Sequence, residues 1–222
     1  MADALSRLAL PLEARPRRDR LRAPAPGTRR HRGRHRRPQG CVCFEPQPAL
    51  AAYLGRMKAA LRLERLEVEP LALSSRAGTM TLTVPGGGTS PSGTLEAGLV
   101  AGEHAAYPVR VTTLDEHLGP EAPVRLIKCD VEGHELEVFR GAERLLRARQ
   151  PILMFECEAR HHTRDTPAEV FAYLAGLGYA GRFFTREGLQ PLAAFDPARH
   201  GDPASPQYAN NFAFEVAGAA SA

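Results

Sequence analysis

The stretch LIKCDVEGHELEVFRGAERLL, residues 126–146, decides the fold. A short apolar run from Leu126 to Cys129 ends at Asp130, and Glu132, His134 and Glu135 follow at once. From His134 to Gln150 the pattern changes period. Leu136, Phe139, Ala142, Leu145 and Leu146 then share one helical face. A buried strand passing through an acidic turn into a helix is the joint of a βαβ unit. Gly133 lets that turn be tight.

The same grammar repeats on both sides. Upstream, CVCFE (41–45) reads as a buried strand and PQPALAAYLGRMKAALRL (46–63) as an amphipathic helix. LEVEPLALSS (66–75) reads as a strand, and TMTLTV (79–84) as a half-exposed one. A glycine-rich loop begins at Pro85. YPVRVTTLDEHL (107–118) gives a strand and a short helix capped by Thr113. Downstream, PILMFECE (151–158) is a buried strand, and TPAEVFAYLAGLGY (166–179) a helix with Thr166 at its start and Gly178 at its stop. GRFFTREG, LQPLAAF and NNFAFEV read as further strands. The alternation predicts an α/β fold with a mostly parallel sheet and helices on both faces.

The 222 residues suffice for one sizeable core, and the net charge of +4 hides an asymmetry. Residues 1–40 hold 12 Arg against 3 acids, whereas residues 41–222 hold 17 Lys and Arg against 22 acids. Residues 1–37 are therefore expected to be disordered, or a translation out of frame, and 38–216 to form the folded domain, with 217–222 as a tail. The four cysteines lack C-x-x-C spacing and read as reduced, which suits a cytoplasmic protein. No run reaches the length of a membrane span, and LALPL (8–12) is too short for a signal-peptide core.

Ligands of open parallel sheets bind beyond the carboxyl ends of the strands. Three acids stand at such ends: Glu45, Asp130 and Glu156. Glu45 is placed to accept hydrogen bonds from a ribose diol. Asp130 ends a buried strand and needs partners. The carboxylates of DVEGHE could instead cap the helix, and Glu135 and Glu137 are expected to do so in part. A metal held by Asp130, Glu132, His134 and Glu156 ranks below a metal-free site, because neighbouring residues of one strand face opposite ways. His161 and His162 form a second candidate proton-transfer pair.

The DVEGHELEVFRGA block, with TLDEHL upstream and QPILMFECE downstream, resembles the signature of the FkbM-type methyltransferases. FEPQPALAAYL, VEPLALSSRAGTMTL and the closing YANNFAF are similar to other parts of that family, so the likeness runs from about Pro38 to Phe214. It implies a Rossmann-like class I methyltransferase fold, S-adenosylmethionine as cofactor, and methyl transfer to a hydroxyl oxygen of a small molecule or sugar. It also implies that Glu45 holds the cofactor ribose and that Asp130 lies beside the transferred methyl and the acceptor. Asp130, then His134, then Glu132 are the candidate catalytic groups.

One part of the family pattern is missing. The family places a strand and a D-x-G-A-N-x-G loop about twenty residues before FEP, where this chain has RLRAPAPGTRRHRG. Codons for Ala23 to Arg29, read one base earlier, can spell Gly-Ala-Ser-Thr-Gly-Tyr-Thr, close to that loop. The segment before about Pro38 is therefore expected to be a frameshifted translation or a genuinely degenerate allele. The rivals are a catalytically inactive remnant and a basic arm that binds nucleic acid through residues 15–37. The glycine-rich loop after Pro85 is expected to lie over the acceptor side.

Overall fold

The computed structural model describes residues 8–12, 40–86 and 88–216. Residues 15–37, which carry the out-of-frame and nucleic-acid readings, lie outside the described residues. The elements in chain order are β1 (Leu8–Leu12), β2 (Gly40–Phe44), α1 (Pro48–Ala60), β3 (Leu66–Glu69), β4 (Ala72–Leu73), β5 (Gly78–Pro85), β6 (His104–Thr112), α2 (Leu114–His117), β7 (Leu126–Cys129), α3 (Glu135–Arg140), α4 (Glu143–Arg149), β8 (Ile152–Glu156), α5 (Pro167–Gly176), β9 (Tyr179–Thr185), β10 (Gly188–Pro191), α6 (Pro197–His200) and β11 (Asn211–Val216).

The main sheet has the order β10-β9-β11-β8-β7-β1-β2-β3, and β4, β6 and β5 make a smaller one. The expectation of a mostly parallel sheet does not hold. In the main sheet only β2–β3 and β7–β8 pair in parallel. The other neighbours are antiparallel. One cause is local: β9 and β10 are joined by Arg186 and Glu187 alone, and so short a link permits only an antiparallel hairpin. The other is central: β1 lies between β2 and β7 and runs against both. Thus part of the segment expected to be disordered, Leu8–Leu12, supplies a strand.

Two expected elements split. LEVEPLALSS divides at Pro70, which has no N–H to give a ladder. β3 then joins the main sheet and β4 the small one. The helix expected over 134–150 breaks between α3 and α4 at Gly141 and Ala142. Gly141 packs against the Ser74 carbonyl so closely that a Cβ there would collide with it.

The larger core is built from inward positions of β2, β7, β8 and β11 with α3, α4 and α5. Ile127, Phe139, Leu145, Leu146, Leu153, Val170 and Leu174 are wholly enclosed. Phe155 stacks on Phe212 and meets Phe139 edge to face. A smaller core under the second sheet contains Ala72, Leu82, Val84, Val109 and Val111. Among the described residues, no helix is long and apolar enough to cross a membrane.

Candidate functional site

β7 and β8 are parallel, and β2 and β7 both oppose β1, so all three run the same way. Glu45 follows β2, Asp130 follows β7 and Glu156 ends β8. The three carboxylates therefore stand at one end of the sheet.

Their surroundings differ. Glu45 is fully buried, and its Oε1 accepts the Gln47 backbone N–H at 2.9 Å. Gln47 in turn donates its side-chain N–H to the Ser90 carbonyl at 2.7 Å, tying the glycine-rich loop to the end of β2. The Asp130 side chain is one-fifth exposed and lies 3.4 Å from the Lys128 ammonium. With Phe44, Pro46, Leu71 and His134 it lines a cavity of about 40 Å³. Glu156 accepts a hydrogen bond from Asn210 at 3.0 Å, and the same amide serves Glu158 at 3.0 Å. Burial, and then the charge of Asp130, push the Glu156 carboxyl up to about 7. Burial would also raise Glu158, but hydrogen bonds from Arg160 and Asn210 outweigh it and hold that group at about 2. Two carboxylates sharing one amide are thereby driven apart in acidity.

The turn between β7 and α3 holds the rest of the motif. Glu132 adopts a positive φ of 53°, and its carboxylate lies 2.8 Å from His161 Nδ1. That contact raises the pKa of His161. Gly133, with φ of 93°, passes directly over the His161 carbonyl, where any Cβ would collide. Glu135 Oε1 accepts the backbone N–H groups of Gly133 at 3.3 Å and Val131 at 3.4 Å, both in the turn before α3, so it braces the turn. Glu135 and Glu137 stand in the first turn of the helix, but Glu137 bonds Ser75 and Arg140, and neither caps another residue's N–H in α3.

His134 needs correcting as a candidate proton acceptor. The ring is buried, with Nδ1 2.7 Å from Glu96 and Nε2 2.9 Å from the Ser74 hydroxyl. Both nitrogens are engaged, so neither is open to an acceptor hydroxyl. His134 is the centre of a clamp instead. Arg164 reaches Glu96 at 2.6 and 2.9 Å, and Thr163 donates to it at 2.9 Å. Burial would raise the Glu96 carboxyl, but the hydrogen bonds from His134, Arg164 and Thr163 bring it down to about 2. A further bond runs from the Thr94 hydroxyl to the Glu132 carbonyl at 2.8 Å. The glycine-rich loop is thus fastened onto the DVEGHE turn.

Glu96, Ser74 and Arg164 were missed by the sequence reading. One signal was present for Glu96: it is the only charged residue between Pro85 and Gly102. A lone carboxylate in an uncharged loop needs a partner if it is buried. The expected His161–His162 pair is divided. His161 joins Glu132, whereas His162 is buried beside Asp165, with Nδ1 2.5 Å from its carboxylate.

Among the described residues, the site offers a nucleoside cofactor little room. The acidic groups suit a ribose and a cationic centre. The cavity beside Asp130, however, has room for a few water molecules, and Glu45 is fully buried with Oε1 on the Gln47 N–H. β1 runs against both β2 and β7, with Leu12 opposite Gly40 at the end of the sheet away from the carboxylates.

A profile of the methyltransferase FkbM domain matches residues 28–180. A solved structure, the methyltransferase FkbM from Methylobacillus flagellatus KT, is similar over 78% of this chain and 36% of that one, with 15% identity and a TM-score of 0.47. The chain therefore spans about a third of the length of that protein. No curated protein matches it. The profile takes in the DVEGHE turn, the strands that carry Glu45 and Asp130, and the clamped loop, and the chain belongs to the methyltransferase FkbM family.

Proposed function

We propose that this domain serves methyl transfer from S-adenosylmethionine to a hydroxyl oxygen of a small molecule or sugar, in a reducing, cytoplasmic setting, and that this chain holds the cofactor weakly. One observation carries the reading: Glu45, Asp130 and Glu156 share one rim of the sheet. Asp130 would orient the acceptor and Glu156 would take its hydroxyl proton, while a bound cofactor would supply the methyl group, its sulfur–carbon bond breaking as the oxygen–carbon bond forms. Glu132, held by His161, lies next in line. A second cavity of about 410 Å³, walled by Phe171, Leu192, Phe195 and Tyr208 with Glu158 at its edge, suits an acceptor that has an apolar face as well as hydroxyls.

The reversed β1 favours a second reading, an inactive remnant whose family motif is lost to a frameshift before residue 38. Direct titration with S-adenosylmethionine tests both. The chain as it stands is compared with a version carrying the glycine motif in the shifted frame. Binding and methyl transfer restored only in the second version support the frameshift and the family chemistry together. Tight binding by the present chain would overturn the claim of weak affinity. No transfer to any hydroxyl acceptor by a cofactor-binding version would remove the assigned reaction.

A further inference from the structure

We propose that Glu135, Cys157 and His162 form a buried site for a divalent transition-metal ion of the zinc type, separate from the carboxylate rim. Their donor atoms converge. His162 Nε2 lies 3.1 Å from Cys157 Sγ and 3.4 Å from Glu135 Oε2, and all three atoms fall within 4.8 Å of one another. Ligand atoms on a tetrahedral zinc ion, at bond lengths of about 2.0–2.3 Å, are separated by roughly 3.3–3.6 Å. The two distances from His162 are close to this. Carboxylate, thiolate and imidazole are also the donors such an ion takes.

The hydrogen bonding points the same way. His162 Nδ1 is 2.5 Å from Asp165 Oδ1, so that nitrogen carries the proton and Nε2 presents its lone pair. A histidine that gives its other N–H to a carboxylate is oriented as metal-ligating histidines are. The lone pair then faces a sulfur and a carboxylate oxygen. Glu135 Oε2 is buried and has no hydrogen-bond partner among the described residues. Three electron-pair donors facing one another, with one buried oxygen unmatched, are reconciled by a cation between them. Three protein ligands leave a fourth tetrahedral position for a water or small anion.

The placement gives the ion a task. Glu135 opens α3, and Cys157 and His162 bracket the loop after β8. Glu158 and His161 lie between them and Arg164 lies two residues beyond, and these meet the carboxylate rim and the Glu96 clamp. An ion would lock the loop to α3 from beneath.

The test uses the full chain, stripped with a chelator and titrated with cobalt(II). Cobalt bound to a thiolate shows a charge-transfer absorption in the near ultraviolet. The variant C41S/C43S serves as a second background, because those thiols lie near each other on β2. Both proteins should show the band at one equivalent, and zinc should abolish it and raise the thermal midpoint. C157S in the C41S/C43S background should lose the band. E135Q, which keeps the side-chain shape, should weaken zinc binding at least tenfold. Absence of the band from the folded parent proteins would overturn the site and leave a Glu135–His162–Asp165 hydrogen-bond network. A band that persists in C157S, or that vanishes with Cys41 and Cys43, would place the metal elsewhere and also overturn it. If C157S does not fold, E135Q decides: zinc affinity unchanged from the parent would sink the proposal. None of these readouts depends on methyl transfer.

Discussion

Glu96 shows how one residue can organise a loop. It is nearly wholly buried, yet it holds His134, Thr163 and Arg164 at once. Replacing it with Ala leaves the buried His134 ring without its partner, while the Arg164 head, more than half exposed, turns to solvent. Urea denaturation should show a loss of roughly 3 kcal/mol, the usual scale when one side of a buried pair is removed. The pH dependence follows from the sign of the shift. The folded-state value of about 2 lies below the ordinary 4.5, so the clamp's contribution is complete above about pH 4.5 and is lost as pH falls toward 2. In E96Q this limb of the acid transition should disappear. Gly133 makes a second prediction. Gly133→Ala forces a side chain into a positive-φ position against the His161 carbonyl. It should destabilise by more than about 2 kcal/mol, read from the same denaturation curves. The places of Asp130 and Glu45 at strand ends were legible because each closes an apolar run. His134 was misread because its partners, Glu96 and Ser74, lie 38 and 60 positions away in sequence. No local pattern announces contacts at that range.

Elements with strong periodicity followed the sequence: β2, α1, β7, β8, α5 and β11 stand where apolar spacing placed them. The failures came where tertiary packing overruled a local pattern. Pro70 divided one expected strand between two sheets, and the approach of Gly141 to Ser74 divided one expected helix. β1 is the sharpest case. Its five residues carry almost no signal, but β2 and β7 need a neighbour on their facing edges, and Leu8–Leu12 fills the gap. Without it both strands would offer unpaired backbone to other chains. Deleting residues 1–12 should therefore move the protein from its main size-exclusion peak into aggregates and lower its thermal midpoint. A truncated protein that stays in the original peak with an unchanged midpoint would show that β1 does not close the sheet.

For the molecule as a whole, family membership and site geometry point different ways on ligand affinity. The carboxylate rim is present, but the sequence before β2 lacks the glycine motif that the family resemblance calls for. Each lost hydrogen bond to a charged ligand group costs about 1.5–3 kcal/mol. Two such losses weaken binding by roughly a hundredfold or more. Isothermal titration of S-adenosylmethionine should show that deficit relative to a version with the glycine motif restored. Equal, weak binding by both would show that the missing motif is not the cause.

The central strand also sets an order of events during synthesis. Leu8 pairs with Cys129, about 120 residues later. At roughly 5–20 residues per second, a ribosome takes on the order of ten seconds to bridge that interval. β1 can pair with β2 once Gly40–Cys43 has followed it out, but its other edge has no partner strand until β7 is made. For that interval the open edge of β1 is available to the corresponding strand of a neighbouring nascent chain.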